Sequence, residues 1–282
     1  MIKTAVLLTV FNRKDITIKG LHSLYESIEA LGDGYSFEIY LTDDGSTDGT
    51  SEAIRNSFMN IHIVQGNGHL FWNRGMLEAW KAALESDETF DYYLWFNDDV
   101  LLYPQALKVL FEANSKAGGN SIISGAFCSD SGVVSYGGWI GDSIADVNDN
   151  LQEVDRVNGN LVLIPQDVYK KIGTLNPHFH HSYGDFEYGI RARKNNIPLY
   201  LTPNYVGIGE RHDVVQGYYD TSKNIFKRIR NLYFPVGDYP IDAFYYDIKC
   251  RSIIIAIINF ASLHFRCFFP KVWDRIYQSI RK

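Results

Sequence analysis

Short apolar runs alternate with amphipathic stretches through the first hundred residues of the chain. The runs near 4–10, 37–42, 61–64 and 92–97 are rich in β-branched and aromatic residues, and each predicts a strand. Residues 16–31, 48–57 and 73–85 predict helices between them; in the last, Met76, Ala79, Trp80, Ala83 and Leu84 recur at helical spacing. Pro104 predicts the opening of a further helix, because proline is well tolerated in a first turn. Such alternation is the mark of βα units feeding a mostly parallel sheet flanked by helices, an α/β fold.

From about residue 120 the pattern changes to short β-like stretches at 121–127, 133–136 and 161–164, broken by Gly, Asp and Asn. Residues 141–156 are polar and rich in Asp and Asn, which predicts a mobile loop over a cleft. A strand-like run follows at 200–206. Residues 252–265 are apolar on nearly every helical face but fall short of the ~20 residues that a bilayer span requires. Arg251, Arg266 and Lys271 flank them, with Phe268, Phe269 and Trp273 nearby. Two readings stand side by side: a helix lying on a membrane surface, or a terminal helix packed on the core or on a second subunit.

Composition narrows the class. A chain of 282 residues with 46% hydrophobic content can bury a substantial core without covalent staples. Cys128, Cys250 and Cys267 form neither a CxxC pair nor a His/Cys metal pattern, and their odd number argues against a disulfide framework, so a reducing cytoplasm is expected. The run 5–10 is too short for a signal-peptide core. The net charge of −6 hides an asymmetry: residues 249–282 carry seven Lys/Arg against Asp274 alone, so that segment is +6 and the remainder −12.

Two acidic turns carry the chemistry. Asp43-Asp44-Gly45-Ser46-Thr47-Asp48 follows the second predicted strand and Asn97-Asp98-Asp99 the fourth. Ligands of open α/β sheets bind beyond the carboxyl ends of the strands, so both turns can meet one bound molecule. Carboxylates there can accept from a base N–H or a ribose hydroxyl, and a hard cation prefers such oxygens beside phosphate. The plain alternative is local: Asp and Asn make turns, and Ser46, Thr47 or Asp48 caps the next helix. Capping accounts for one acid, not three. The chain has neither a GxGxxG after its first strand nor a GxxxxGK[ST] motif, so neither a dinucleotide fold nor a P-loop is supported.

The motifs, in order, are Val6-Leu7-Leu8-Thr9-Val10-Phe11-Asn12-Arg13, the two acidic turns, Gly66-Asn67-Gly68 with Trp72-Asn73-Arg74-Gly75, Asn158-Gly159-Asn160, and Gly184-Asp185-Phe186-Glu187 leading to Arg191-Ala192-Arg193. Over roughly residues 3–212 this series resembles a family 2 glycosyltransferase of the GT-A fold, in the bacterial subgroup that includes rhamnosyltransferase-like enzymes of surface-polysaccharide synthesis. The resemblance implies a catalytic domain over 1–215, with a nucleotide-sugar half at 1–118 and an acceptor half at 119–215, followed by a helical segment at 216–282. It places Thr9, Phe11, Arg13, Asp43 and Asp44 around the base and ribose, with Asn67, Gly68, Trp72, Arg74, Asn97 and Asp98 completing the donor site. It assigns a divalent metal, Mn²⁺ or Mg²⁺, to Asp99 and Asp98, with a further contact from His212; the family's usual Asp-x-Asp reads here Asn97-Asp98-Asp99.

The implied reaction is inverting transfer of a sugar from a UDP-sugar or dTDP-sugar to a glycan or lipid-linked acceptor. Asp185 is the expected general base, with Glu187 as its substitute and Trp139, Tyr183 and Glu187 as acceptor contacts. A capping role for Asp185 in Ser182-Tyr183-Gly184-Asp185 is the competing reading. His178, His180 and His181 have no regular metal spacing. The expected partners are the donor, the acceptor and an anionic membrane surface, or a second copy of the chain, with no nucleic acid. A sugar-1-phosphate nucleotidyltransferase, which should carry a glycine-rich basic loop after the first strand, and an inactive glycan-binding protein of the same fold are the alternatives.

Overall fold

The computed structural model describes residues 1–211 and 217–280, with side chains through Ile276. It divides into two compact units: one of Met1–Pro177 with Asp185–Arg211, the other of His178–Gly184 with the chain beyond Arg211.

The larger unit begins β1 (Ile2–Val10), α1 (Lys14–Leu31), β2 (Tyr35–Asp43), α2 (Thr50–Ser57), β3 (Ile61–Gln65), α3 (Phe71–Glu85), β4 (Tyr92–Phe96), all close to the ranges that periodicity predicts. It continues through β5 (Leu101–Leu102), α4 (Ala106–Lys116), β6 (Ile122–Cys128), β7 (Val134–Tyr136), β8 (Gly138–Ile140) and β9 (Ser143–Ile144). Then come β10 (Gln152–Glu153), β11 (Arg156–Val157), β12 (Leu161–Pro165), α5 (Gln166–Ile172), α6 (Gly184–Lys194) and β13 (Leu199–Ile208). The helix expected after Pro104 is α4, which starts two residues later.

One ten-stranded sheet runs in the order β10-β13-β6-β12-β4-β1-β2-β3, with β5 beside β13 and β7 beside β6. Strands β3, β2, β1, β4, β6 and β13 all point the same way, and β12 runs against both its neighbours, β4 and β6. The chain builds outward from β1 to β3 and then returns to the other side of β1 as β4. That reversal makes the strand ends of β1 and β4 the topological switch point of the sheet, the place where ligands of open sheets bind.

Burial on both faces explains why β1 reads as an unbroken apolar run. Ala5 and Leu7 enter one core with Met76, Ala79 and Trp80 of α3 and Tyr188 and Ala192 of α6. Val6, Leu8 and Val10 enter the other with Leu21 and Leu24 of α1, Ile54 of α2 and Leu107 and Leu110 of α4. Helices thus cover both faces of a mostly parallel sheet.

The segment 141–156, expected to be a mobile loop, instead holds β9, β10 and the start of β11. β9 pairs with β8, Gln152 and Glu153 pair with Leu201 and Tyr200 of β13, and Ala145 and Val154 are buried. Its polar composition reflects an edge whose outward side chains meet water.

The second unit is helical: α7 (Ile225–Leu232), α8 (Pro240–Cys250), α9 (Ile253–Phe268) and α10 (Pro270–Ile280). Tyr218, Leu232, Ala243, Leu263 and Cys267 form its small core. Pro240 starts α8 and the Ser252 side chain caps α9 by accepting from Ile255 N, both ordinary first-turn chemistry. The apolar stretch 252–265 is therefore most of α9. Among the described residues no single helix is long and apolar enough to cross a membrane; α9 and the first part of α10 meet at a bend of 113°.

Candidate active site at the strand ends

The loops after β1 and β2 are laced together. Asn12 takes a left-handed backbone conformation, φ 50°, which asparagine tolerates better than most residues. Its Oδ1 accepts from Thr47 N at 2.7 Å, and its own N–H donates to Ser46 Oγ at 2.9 Å. Asp48 accepts from Lys14 N at 2.9 Å. Phe11 stands half exposed on this rim, and Thr9 lies against Gly75 of α3, where a Cβ would collide with its side chain.

Asp43 and Asp44 are buried and spend their oxygens on the protein itself. Asp43 accepts from Ser46 N at 2.8 Å and from the Ser51 hydroxyl. Asp44 accepts from Gly68 N at 2.8 Å, Leu70 N at 2.9 Å and Phe71 N at 3.0 Å, satisfying N–H groups at the start of α3. They shape the loop that holds Asn67 and Gly68; Asn67 turns its own Oδ1 onto His69 N at 2.9 Å. Arg74 donates to Pro177 O at 3.3 Å.

In the turn after β4, Asn97 turns to Trp72 while Asp98 and Asp99 share Arg13. Asn97 Oδ1 accepts from Trp72 Nε1 at 2.7 Å. Asp98 accepts from Thr17 Oγ1 at 2.5 Å and from Arg13 Nη1 at 3.2 Å; the same Arg13 nitrogen lies 3.0 Å from Asp99 Oδ2. Burial pushes the Asp98 carboxyl up to about 6, with Thr17 and Arg13 pulling the other way and Asp99 adding to the rise. Asp99 Oδ1 is buried with no hydrogen-bond partner among the described residues.

This geometry bears on a metal. Among the described residues no three His, Cys, Asp or Glu side chains are grouped to enclose an ion. One orphaned carboxylate oxygen nevertheless suits Mg²⁺ or Mn²⁺ held jointly with a diphosphate, since Mg²⁺ commonly takes one or two carboxylates beside substrate phosphates. Asp99 fits that role; Asp98 and Asn97 are committed to neighbours. His212 lies outside the described residues.

Asp185, at the start of α6, joins this turn through a chain of contacts. Its Oδ2 accepts from Gly159 N at 3.0 Å and its Oδ1 from Phe186 N at 2.8 Å. Gly159 sits so close to the Trp72 indole that a Cβ would collide with it, and Trp72 holds Asn97. The backbone of Asn97 also donates to Asn160 O at 2.9 Å. Burial pushes the Asp185 carboxyl up to about 6, against the backbone donors and Arg156. Trp139 belongs to the same surroundings: its Nε1 donates to Asn158 Oδ1 at 2.9 Å, and Arg156 lies over both Trp139 and Phe186, 5.5 and 5.1 Å from the ring centres.

The other expected acceptor residues, Glu187 and Tyr183, have partners of their own. Glu187 is buried and paired with Arg191 at 3.0 Å on its own helix. Tyr183 packs inside the second unit, stacked on Tyr246 at 5.1 Å, and His180 pairs with Asp242 of α8 at 3.0 Å. Sequence reasoning missed Thr17 and Arg156. Thr17 had a signal, since Arg13, Thr17 and Gly20 follow one another at helical spacing on the face that meets Asp98; Arg156 had none.

Residues 5–139 match the sequence model described as Glycosyl transferase family 2. No curated protein sequence is significantly similar to the chain. Similar solved structures include the mannosyltransferase PcManGT from Pyrobaculum calidifontis, in complex with GDP-Man and Mn²⁺ (TM-score 0.54, 15% identity, covering 93% of this chain and 73% of that one). S. aureus TarS 1–349 aligns with a TM-score of 0.51 at 14% identity, over 94% of this chain and 72% of its own. GalNAc-T7 with UDP, GalNAc and Mn²⁺ aligns at 0.56 and 12% identity over 94% of this chain, which spans only 57% of GalNAc-T7. The mostly parallel sheet flanked by helices thus has the GT-A fold, and residues 5–139, just under half of the chain, carry the glycosyl transferase family 2 pattern.

Proposed function

We propose that the chain is an inverting glycosyltransferase that moves a hexose or deoxyhexose from a UDP-sugar or dTDP-sugar to a glycan or lipid-linked acceptor. The observation that carries this reading is the joining of two groups: Asp99, with an oxygen that has no hydrogen-bond partner among the described residues, and Asp185, linked to the same turn through Gly159 and Trp72. Nucleotide sugar and Mn²⁺ in PcManGT, and UDP and Mn²⁺ in GalNAc-T7, support the donor class and a divalent ion.

In this reading Thr9, Phe11 and Arg13 border the base and diphosphate, and Asp43 and Asp44 hold the surrounding loops in shape. A divalent cation on Asp99, when bound, neutralises charge on the leaving diphosphate. Asp185 accepts the proton of the attacking acceptor hydroxyl from the opposite face of the sugar. Its carboxyl, at about 6, is ionised at neutral pH yet basic enough to take a proton. Trp139 offers a ring for an acceptor sugar. A role in bacterial surface-polysaccharide synthesis, of the rhamnosyltransferase-like kind and at the cytoplasmic side of the membrane, is part of the same proposal.

A turnover assay over a panel of nucleotide sugars tests it. Chelator should abolish release of nucleoside diphosphate, and Asp99→Ala should lower kcat/KM by about 10²–10³-fold, the scale of losing one group that stabilises developing charge. The engagement of Asn97 by Trp72 favours one rival, a glycan-binding protein without turnover; glycan binding indifferent to chelator and to Asp99→Ala, with no turnover of any donor, would establish that rival instead.

A further inference from the structure

Helix α9 buries one face and turns a second apolar face to solvent. Leu263 and Cys267 belong to the unit's core, and Ala256 on the same face is buried. On the opposite side Ile254, Ile257, Ile258, Phe265 and Phe268 follow at helical spacing, with Ala261 between them and no charged residue in the stripe. Ile254, Ile257 and Ile258 are 66%, 57% and 59% exposed, so this face covers nothing within the unit. Over 16 residues the stripe is roughly 24 Å long at 1.5 Å per residue.

The chain continues the pattern around the bend. Phe269 is exposed, and α10 presents Val272 and Ile276 with Lys271 and Arg275 exposed along one side of them. Exposed apolar side chains in this number mark an interaction surface. Its charge selects the occupant. Residues 249–282 hold seven cations against one acid, on a chain that is otherwise −12. Two copies meeting through this face would set like charges together, whereas an anionic surface would be complementary to it.

We propose that the α9 stripe and the Val272–Ile276 edge of α10 enter the headgroup layer of an anionic bilayer, with the helices lying along it rather than crossing it. Neither helix alone can span a bilayer, and an apolar face bordered by cations is the arrangement that binds in the plane of the interface. The surface goes beyond the catalytic reading and does not rest on it. It would hold the chain where a lipid-linked acceptor resides.

Flotation of the full chain with vesicles tests the assignment. The protein should rise with vesicles containing phosphatidylglycerol and not with phosphatidylcholine alone, and the bound fraction should fall as salt is raised. Ile254→Glu combined with Ile258→Glu should abolish flotation, and Lys271→Glu combined with Arg275→Glu should weaken binding roughly tenfold or more. These positions are exposed, so unchanged circular dichroism should accompany both losses. Asp185→Asn should float like the unaltered chain, which separates this test from that of catalysis. A protein that stays behind with anionic vesicles overturns the proposal, including the case where it sediments as a dimer that the Ile254/Ile258 pair of changes splits, which would make a second copy the occupant.

Discussion

Asp98 and Asp185 share a carboxyl raised to about 6 by burial but differ in what surrounds them. Asp98 is enclosed by a hydroxyl and a guanidinium, which fix its place; Asp185 meets backbone donors and keeps part of its surface open. A base works only when ionised, so protonation of Asp185 as pH drops through about 6 should lower kcat/KM about tenfold per further unit. A pH–rate profile flat down to pH 5 would exclude it as the base. Asp185→Asn should cut transfer by about 10²–10⁴-fold while nucleotide affinity, read by calorimetry, stays nearly unchanged. Thr17→Val removes a donor from the buried Asp98 and should cost about 1–3 kcal/mol in urea unfolding.

At the scale of elements, the strands and helices of the first half were legible because burial on both sheet faces leaves long apolar runs and α3 keeps its helical period. Direction was not legible. Residues 161–164 announce a strand, but nothing in them says that β12 runs against β4. Nor does composition show that Asp43 and Asp44, expected at the donor site, also accept hydrogen bonds from the backbone of the loops around them. The acidic turn at 97–99 was visible, whereas the link from Asp185 through Gly159 to Trp72 depends on packing between segments far apart in the chain. Gly159→Ala tests that link. The added methyl group should displace Trp72 and lower kcat/KM by about 10²-fold through misplacement, with an overpacking cost of about 1–3 kcal/mol in urea unfolding.

For the molecule as a whole, a ligand that binds only the folded state raises its stability. Nucleoside diphosphate at about a hundred times its dissociation constant in the presence of Mn²⁺ should add about 2.7 kcal/mol, read as a higher Tm, and Asp99→Ala should remove the part that depends on Mn²⁺. The two unequal parts of the charge distribution were countable in the sequence, but which apolar side chains of α9 stay uncovered became clear only from its packing. The reversed strand has the widest reach. Because β12 opposes β4, with Leu161 across from Phe96, its first residue rather than its last arrives at the ligand rim, and the turn before it meets the turn after β4. In the proposed reaction the ladder between these strands sets a distance: a slip of two residues would carry Gly159 about 7 Å from Trp72 and shift Asp185, the proposed base, away from Asp99, with the hydrogen bonds between β12 and its neighbours remade.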